Sequence, residues 1–288
     1  MLPAEDPEIH VVNPEPVVSS LLLIAPHGYN QFDGKEKDAD YIPEDYDEFS
    51  GEITEEVARR IGCKALINWA WKKETYPARN YNRRSQAKAD QKFMRHLQAA
   101  ARTPAPLLVL WIHGARDRSI ETEKEAYNAA NPGKERSELH AVLGYGQGKD
   151  SDRLSADPAT VLRFLEILDQ KGMTAVPASA AKNRNKFCAT EDSNMCQWFN
   201  CQKPPCPNVQ SIQMEIRRAG FRQIQYVART ADILTAALAE LLGIAPAPRA
   251  APALEPAAAA PAENLSKAVK DLLHASRIRI RVLWIDMQ

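Results

Sequence analysis

The sequence has no excess of either charge: Lys and Arg total 37, and so do Asp and Glu. No broad field therefore favours nucleic acid or an anionic membrane. Long apolar runs are also missing. The longest near the start, residues 17–26, is broken by Ser19 and Ser20 and is too short to span a bilayer. The opening residues carry neither a basic nor an apolar leader region, so no secretory signal is read and a cytoplasmic protein is expected. Cysteine is sparse, five in 288 residues, and in a reducing compartment these are expected as thiols. The glycines at 144, 146 and 148 lack the Gly-Lys-Ser/Thr ending of a phosphate-binding loop. No Gly-x-Ser-x-Gly elbow is present, which disfavours a serine hydrolase.

What is present is a globular composition, 44% hydrophobic and 26% charged, on a chain long enough to bury a core without staples. Three apolar runs of strand length, residues 21–28, 64–71 and 107–114, suit strands buried on both faces. A later strand, 208–218, shows partial alternation. Between them lie helical stretches at 51–62, 86–102, 159–172 and 230–243. In the first, Ile53, Val57 and Ile61 are four apart, Ser50 reads as a cap, and Gly62 sits where a helix stops. The opening segment to about residue 18, rich in Pro and acid, is expected on the surface, and residues 29–47 read as a long polar loop. Strands alternating with helices predict an α/β fold with a mostly parallel or mixed central sheet flanked by helices.

Two of the strands run straight into His-Gly: His27-Gly28 and His113-Gly114. Open α/β sheets place their sites at such strand ends. Two imidazoles and a carboxylate, with one position left open, form a catalytic zinc set. The carboxylate comes from the start of the first helix, where Asp47, Glu48 and Glu52 compete. Arg79, Asn82 and Arg83 form a basic loop whose guanidinium forks suit a carboxylate. Glu215 is an acid inside an apolar strand, a costly place for a lone carboxylate, and facing an activated water it would serve as general base. His140 and Arg116 are second-rank candidates.

Taken in order, PHG, DEFSGEI, NYNRR, WIHG and QMEIRR resemble the motif series of N-formylglutamate amidohydrolase-like proteins. That family is similar in outline to the zinc carboxypeptidases and to poly-γ-glutamate hydrolases. The resemblance covers roughly residues 20–243. It implies a zinc-exopeptidase-like fold and one divalent metal, Zn2+, held by His27, Glu48 and His113. It further implies Glu215 as general base, with Asn82 and Arg83, and Arg79 beside them, on the substrate carboxylate. The implied activity is metal-dependent hydrolysis of an amide bond in an N-acyl amino acid or γ-glutamyl-type substrate. The sequence departs from the pattern in having Asn80 where the loop carries Asp, and Gly-Tyr-Asn after the first His.

Four cysteines, at 188, 196, 201 and 206, are spaced C-x7-C-x4-C-x4-C, with no C-x2-C pair. They read as an insertion over the site with thiols, a structural metal being the alternative. Cys63 reads as a core residue. The domain reading is a catalytic body over 1–243, a Pro/Ala linker over 244–264, and a short helix–strand element over 265–288 that could engage a protein partner. The rival to the hydrolase is a non-catalytic binding scaffold on the same fold. The two differ in whether a metal is held at the two histidines.

Overall fold

The computed structural model describes residues 9–28, 47–69, 81–88, 90–147, 153–179 and 187–245. The long loop, Arg79 and the C-terminal element lie outside them. Seven strands form one mixed sheet: β1 (Ile9–Val12), β2 (Val18–Ala25), β3 (Cys63–Asn68), β4 (Leu107–Ala115), β5 (Ala141–Gly144), β6 (Ala175–Pro177) and β7 (Val209–Arg217). Their spatial order is β1-β3-β2-β4-β7-β5-β6. The central four, β3, β2, β4 and β7, are parallel. β1 joins β3 antiparallel, β5 joins β7 antiparallel, and β6 pairs parallel with β5. The mixed α/β sheet expected from the sequence is therefore present.

Period-2 alternation assigns each central strand to two cores. Leu21, Leu23 and Ala25 of β2, with Leu108, Leu110 and Ile112 of β4 and Ile212, Met214 and Ile216 of β7, face one cluster. That face is covered by α1 (Ser50–Ile61), α5 (Pro158–Gln170) and α6 (Val227–Leu242), through Ile53, Val57, Phe164 and Leu234. Leu22, Ile24, Val109 and Trp111 face the other cluster, with Phe93 and Leu97 of α3 (Gln91–Ala101) and with Trp198. The short α2 (Arg84–Ala87) precedes α3, and α4 (Asp117–Ala130) follows β4.

Several local expectations change. The helix expected over 86–102 is interrupted, because Asp90 caps α3 by accepting from the Phe93 N–H at 2.9 Å. Ser50 is the first helical residue and not the cap. Phe49 takes the cap position with a left-handed φ of 60°, and Ser50 Oγ donates to the His27 carbonyl at 3.4 Å. Gly62 ends α1 with φ 78°, as the sequence predicts.

Tyr81, Phe93 and Trp111 pack together in the interior, the first two rings tilted at 4.6 Å and the last two edge to face at 6.4 Å. The Tyr81 hydroxyl donates to Asp90 Oδ2, so one buried carboxylate both caps α3 and anchors the chain just before Asn82. Asp90→Ala removes the cap and strands the buried hydroxyl. It is expected to lower unfolding free energy by about 2–4 kcal/mol, read from urea melts; a loss below about 0.5 kcal/mol would show that neither bond contributes.

Candidate metal centre at the strand ends

β2 leads through α1 to β3 on one side of it, whereas β4 returns to the other side. The C-terminal ends of β2 and β4 thus border a topological switch point, the crevice where open α/β sheets bind ligands. His27 lies two residues beyond β2, and His113 sits two residues before the end of β4. Their rings meet edge to face, with centroids 5.2 Å apart and planes at 72°. Between them comes Asp47, from the residues leading into α1. Its Oδ2 lies 3.2 Å from His27 Nδ1 and 3.0 Å from His113 Nδ1. All three side chains are buried.

Burial works against ionisation of Asp47, but the charge of His27 and the hydrogen bonds from both imidazoles outweigh it. Together they hold the carboxyl well below the usual carboxylate range. The donor set suits a divalent ion by its spacing. The three donor atoms lie within 4.8 Å of one another, and ligands about 2.0–2.1 Å from a tetrahedral zinc stand roughly 3.3 Å apart, close to the two separations between Asp47 and the imidazoles.

Of the three competing acids, the structure brings Asp47 and not Glu48 between the imidazoles. The Glu48 carboxylate turns to Arg218 Nε at 2.5 Å, and that bond raises the Arg218 pKa. Adjacent residues at the start of a helix point in different directions, so Asp47 and Glu48 reach different partners. Glu52 lies within α1 and is not part of the group.

Glu215 stands beside His113 in the parallel β4–β7 register. It shares the alternating face of β7 with Ser211 and Gln213, which explains an acid in an apolar strand. Ser211 Oγ accepts from the Trp111 indole at 3.0 Å, and Gln213 Nε2 donates to Glu215 at 2.8 Å. Asn194 donates in turn to Gln213 Oε1 at 2.8 Å. The Asn194 segment is stitched to the basic loop: Arg83 pairs with Asn194, and Met195 N–H donates to the Asn82 carbonyl at 3.0 Å. A continuous chain of contacts therefore joins Asn82 and Arg83 to Glu215. Gln213 and Asn194 were not singled out from the sequence. Only the spacing of two between Gln213 and Glu215 hinted at a shared face.

Of the second-rank candidates, His140 is not part of the His27–Asp47–His113 group. His140 Nδ1 accepts from the Thr174 N–H at 3.0 Å, Nε2 lies 3.2 Å from Glu138, and the ring stacks on Phe221. Arg116 precedes α4. All five cysteines are free thiols. Among the described residues only His27, Asp47 and His113 gather in metal-ligand geometry, so the four clustered in sequence do not form such a group. Burial pushes Cys188 up to about 12 and Cys196 up to about 11, as for thiols packed in the interior. Cys63 is core, as expected.

A buried His–Asp–His group at the switch point of a mixed α/β sheet defines the architecture, and solved structures place it among known folds. No family model matches the chain, and no curated protein matches its sequence. The N-formylglutamate amidohydrolase from Ralstonia eutropha JMP134 shares the fold, with a TM-score of 0.51 at 16% identity over 82% of this chain and 98% of that one. The gene product Atu2144 from Agrobacterium tumefaciens gives 0.49 at 13%, over 82% and 95%. A metallo-carboxypeptidase from Burkholderia cenocepacia gives 0.40 at 11%, over 77% and 56%. At these identities the likeness is one of fold, and of these three only the first has a TM-score that bears on it.

Both His-Gly pairs have a steric reason. A Cβ on Gly28 would lie 2.6 Å from Ile67 Cγ2 and 3.1 Å from the Gly51 Cα, so glycine lets α1 approach the end of β2. Gly28→Ala is expected to cost about 1–3 kcal/mol, seen as a lower urea midpoint at unchanged m; an unmoved midpoint would mean that the strand end yields freely.

Proposed function

We propose that the protein is a metal-dependent amide hydrolase acting on a carboxylate-bearing substrate, an N-acyl amino acid or a γ-glutamyl-type amide. The observation that carries the reading is the buried His27–Asp47–His113 group with Glu215 beside it in register. Asp47 takes the place that the family resemblance gives to Glu48, and His27 and His113 complete the set. A divalent ion there, zinc by the chemistry of the donors, would lower the pKa of water and polarise a carbonyl.

The remaining roles belong to the chain. Glu215, held by Gln213, takes the proton from the attacking water and returns it to the leaving amine nitrogen. Asn82 and Arg83, with Arg79, grip the substrate carboxylate. The contact chain through Asn194 keeps that grip at a set distance from Glu215. Among the described residues no helix is long and apolar enough to cross a membrane.

The test is metal content together with turnover on N-acylglutamates and γ-glutamyl peptides. Wild type should carry near-stoichiometric zinc. Asp47→Ala and the double variant His27→Ala/His113→Ala should lose it, while Glu48→Ala keeps it. Glu215→Ala should keep the metal and lose about 10²–10⁴-fold in kcat. Zinc lost from Glu48→Ala but kept by Asp47→Ala would return the ligand role to Glu48. A wild type that stays metal-free after reconstitution would sink the hydrolase and leave a binding scaffold.

A further inference from the structure

Among the described residues Arg222 is the one buried arginine, at 3% exposure, in the connection between β7 and α6. Each arm of its fork donates to a different backbone carbonyl. Nε reaches Ile216 at 2.8 Å, Nη1 reaches Glu48 at 2.6 Å, and Nη2 reaches Ala115 at 3.1 Å. Ile216 follows Glu215, Glu48 follows Asp47, and Ala115 lies two residues past His113. A single planar group thus holds the backbone beside three of the four side chains of the centre.

We propose that Arg222 is a positioning residue that sets the metal centre by tying the Asp47 segment to the ends of β4 and β7. The inference rests on the metal reading given above. The strands β4 and β7 are already joined by their own ladder. The residues leading into α1 belong to no strand, so the bond from Nη1 to the Glu48 carbonyl supplies a link that the sheet does not. The geometry calls for arginine, because a lysine ammonium is a point donor and cannot span three carbonyls set around a plane.

Gly114 belongs to the same device. A Cβ there would overlap the Arg222 guanidinium, so the glycine after His113 is the space in which Arg222 sits. Burying an arginine is costly unless it is paired and bonded. Desolvation does draw the Arg222 pKa down, and Asp47, Glu48, Glu215 and Asp117 pull against it. The cation is retained under the centre with its three bonds made to main chain and none to a carboxylate. That is the arrangement of a group holding backbone in place.

The experiment compares wild type with Arg222→Met, Arg222→Lys and Gly114→Ala. Zinc affinity is measured by chelator competition, and ligand geometry by the visible absorption of the cobalt-substituted protein. Circular dichroism and urea midpoints report folding. Folded Arg222→Met should bind zinc roughly 10–100-fold more weakly with an altered cobalt spectrum. Arg222→Lys should fall between it and wild type. Gly114→Ala should move in the same direction as Arg222→Met although the guanidinium is kept, because it is displaced. If Arg222→Met does not fold, the other two variants decide by the same measures. Wild-type affinity and an unaltered spectrum in the folded variants overturn this inference alone. A wild type that binds no zinc overturns the metal reading and this inference together.

Discussion

The parallel register of β2, β4 and β7 is the constraint from which the site follows. Strands that run the same way and pair in register end together. The Leu23–Leu110 and His113–Glu215 pairings bring three chain segments far apart in sequence to one edge. Because the chain turns from β2 to opposite sides, the ends of β2 and β4 border a switch point at that edge. Alternation along β7 then puts Glu215, Gln213 and Ser211 on one face, while Ile212, Met214 and Ile216 serve the opposite core. Polar groups in an apolar strand need no exception to the pattern; they occupy its other phase.

Such a site is expensive in desolvation, and the neighbourhood is arranged to offset it. Two imidazoles, an aspartate, a glutamate and an arginine, brought together from five parts of the chain, are all buried. Each has partners that suit its charge: Asp47 meets both histidines, Glu215 receives the Gln213 amide, and Arg222 meets three carbonyls. Close backbone approach is part of the same arrangement. Gly28 and Gly51 let the start of α1 press against the end of β2, and Gly114 leaves room for the arginine.

Elements with a long hydrophobic signature were readable in the sequence. β2, β4 and α1 emerged from their apolar runs, and β7 from its partial alternation. β1, β5 and β6, of four, four and three residues, are too short to show a period. β1 is further hidden in a segment rich in Pro and acid, and α4 buries only Ile120, Glu123 and Ala126. The break before α3 went unread because Asp90 acts through a cap and a tertiary bond to Tyr81, neither of which has a periodic signal.

Residue chemistry was determined by the sequence itself: two histidines at the ends of buried strands, an acid within a third, and a cluster of acids at a helix start. These follow from local pattern, since burial period and strand ends are local properties. Which acid meets the histidines was a tertiary decision, because Asp47 and Glu48 differ only in the direction their side chains take once α1 docks. The roles of Gln213, Asn194 and Arg222 were likewise decided by the fold. Asn194 meets Gln213 across 19 positions and Arg222 reaches partners up to 174 positions away, and a hydrogen bond across such a span leaves no trace in spacing or hydrophobicity.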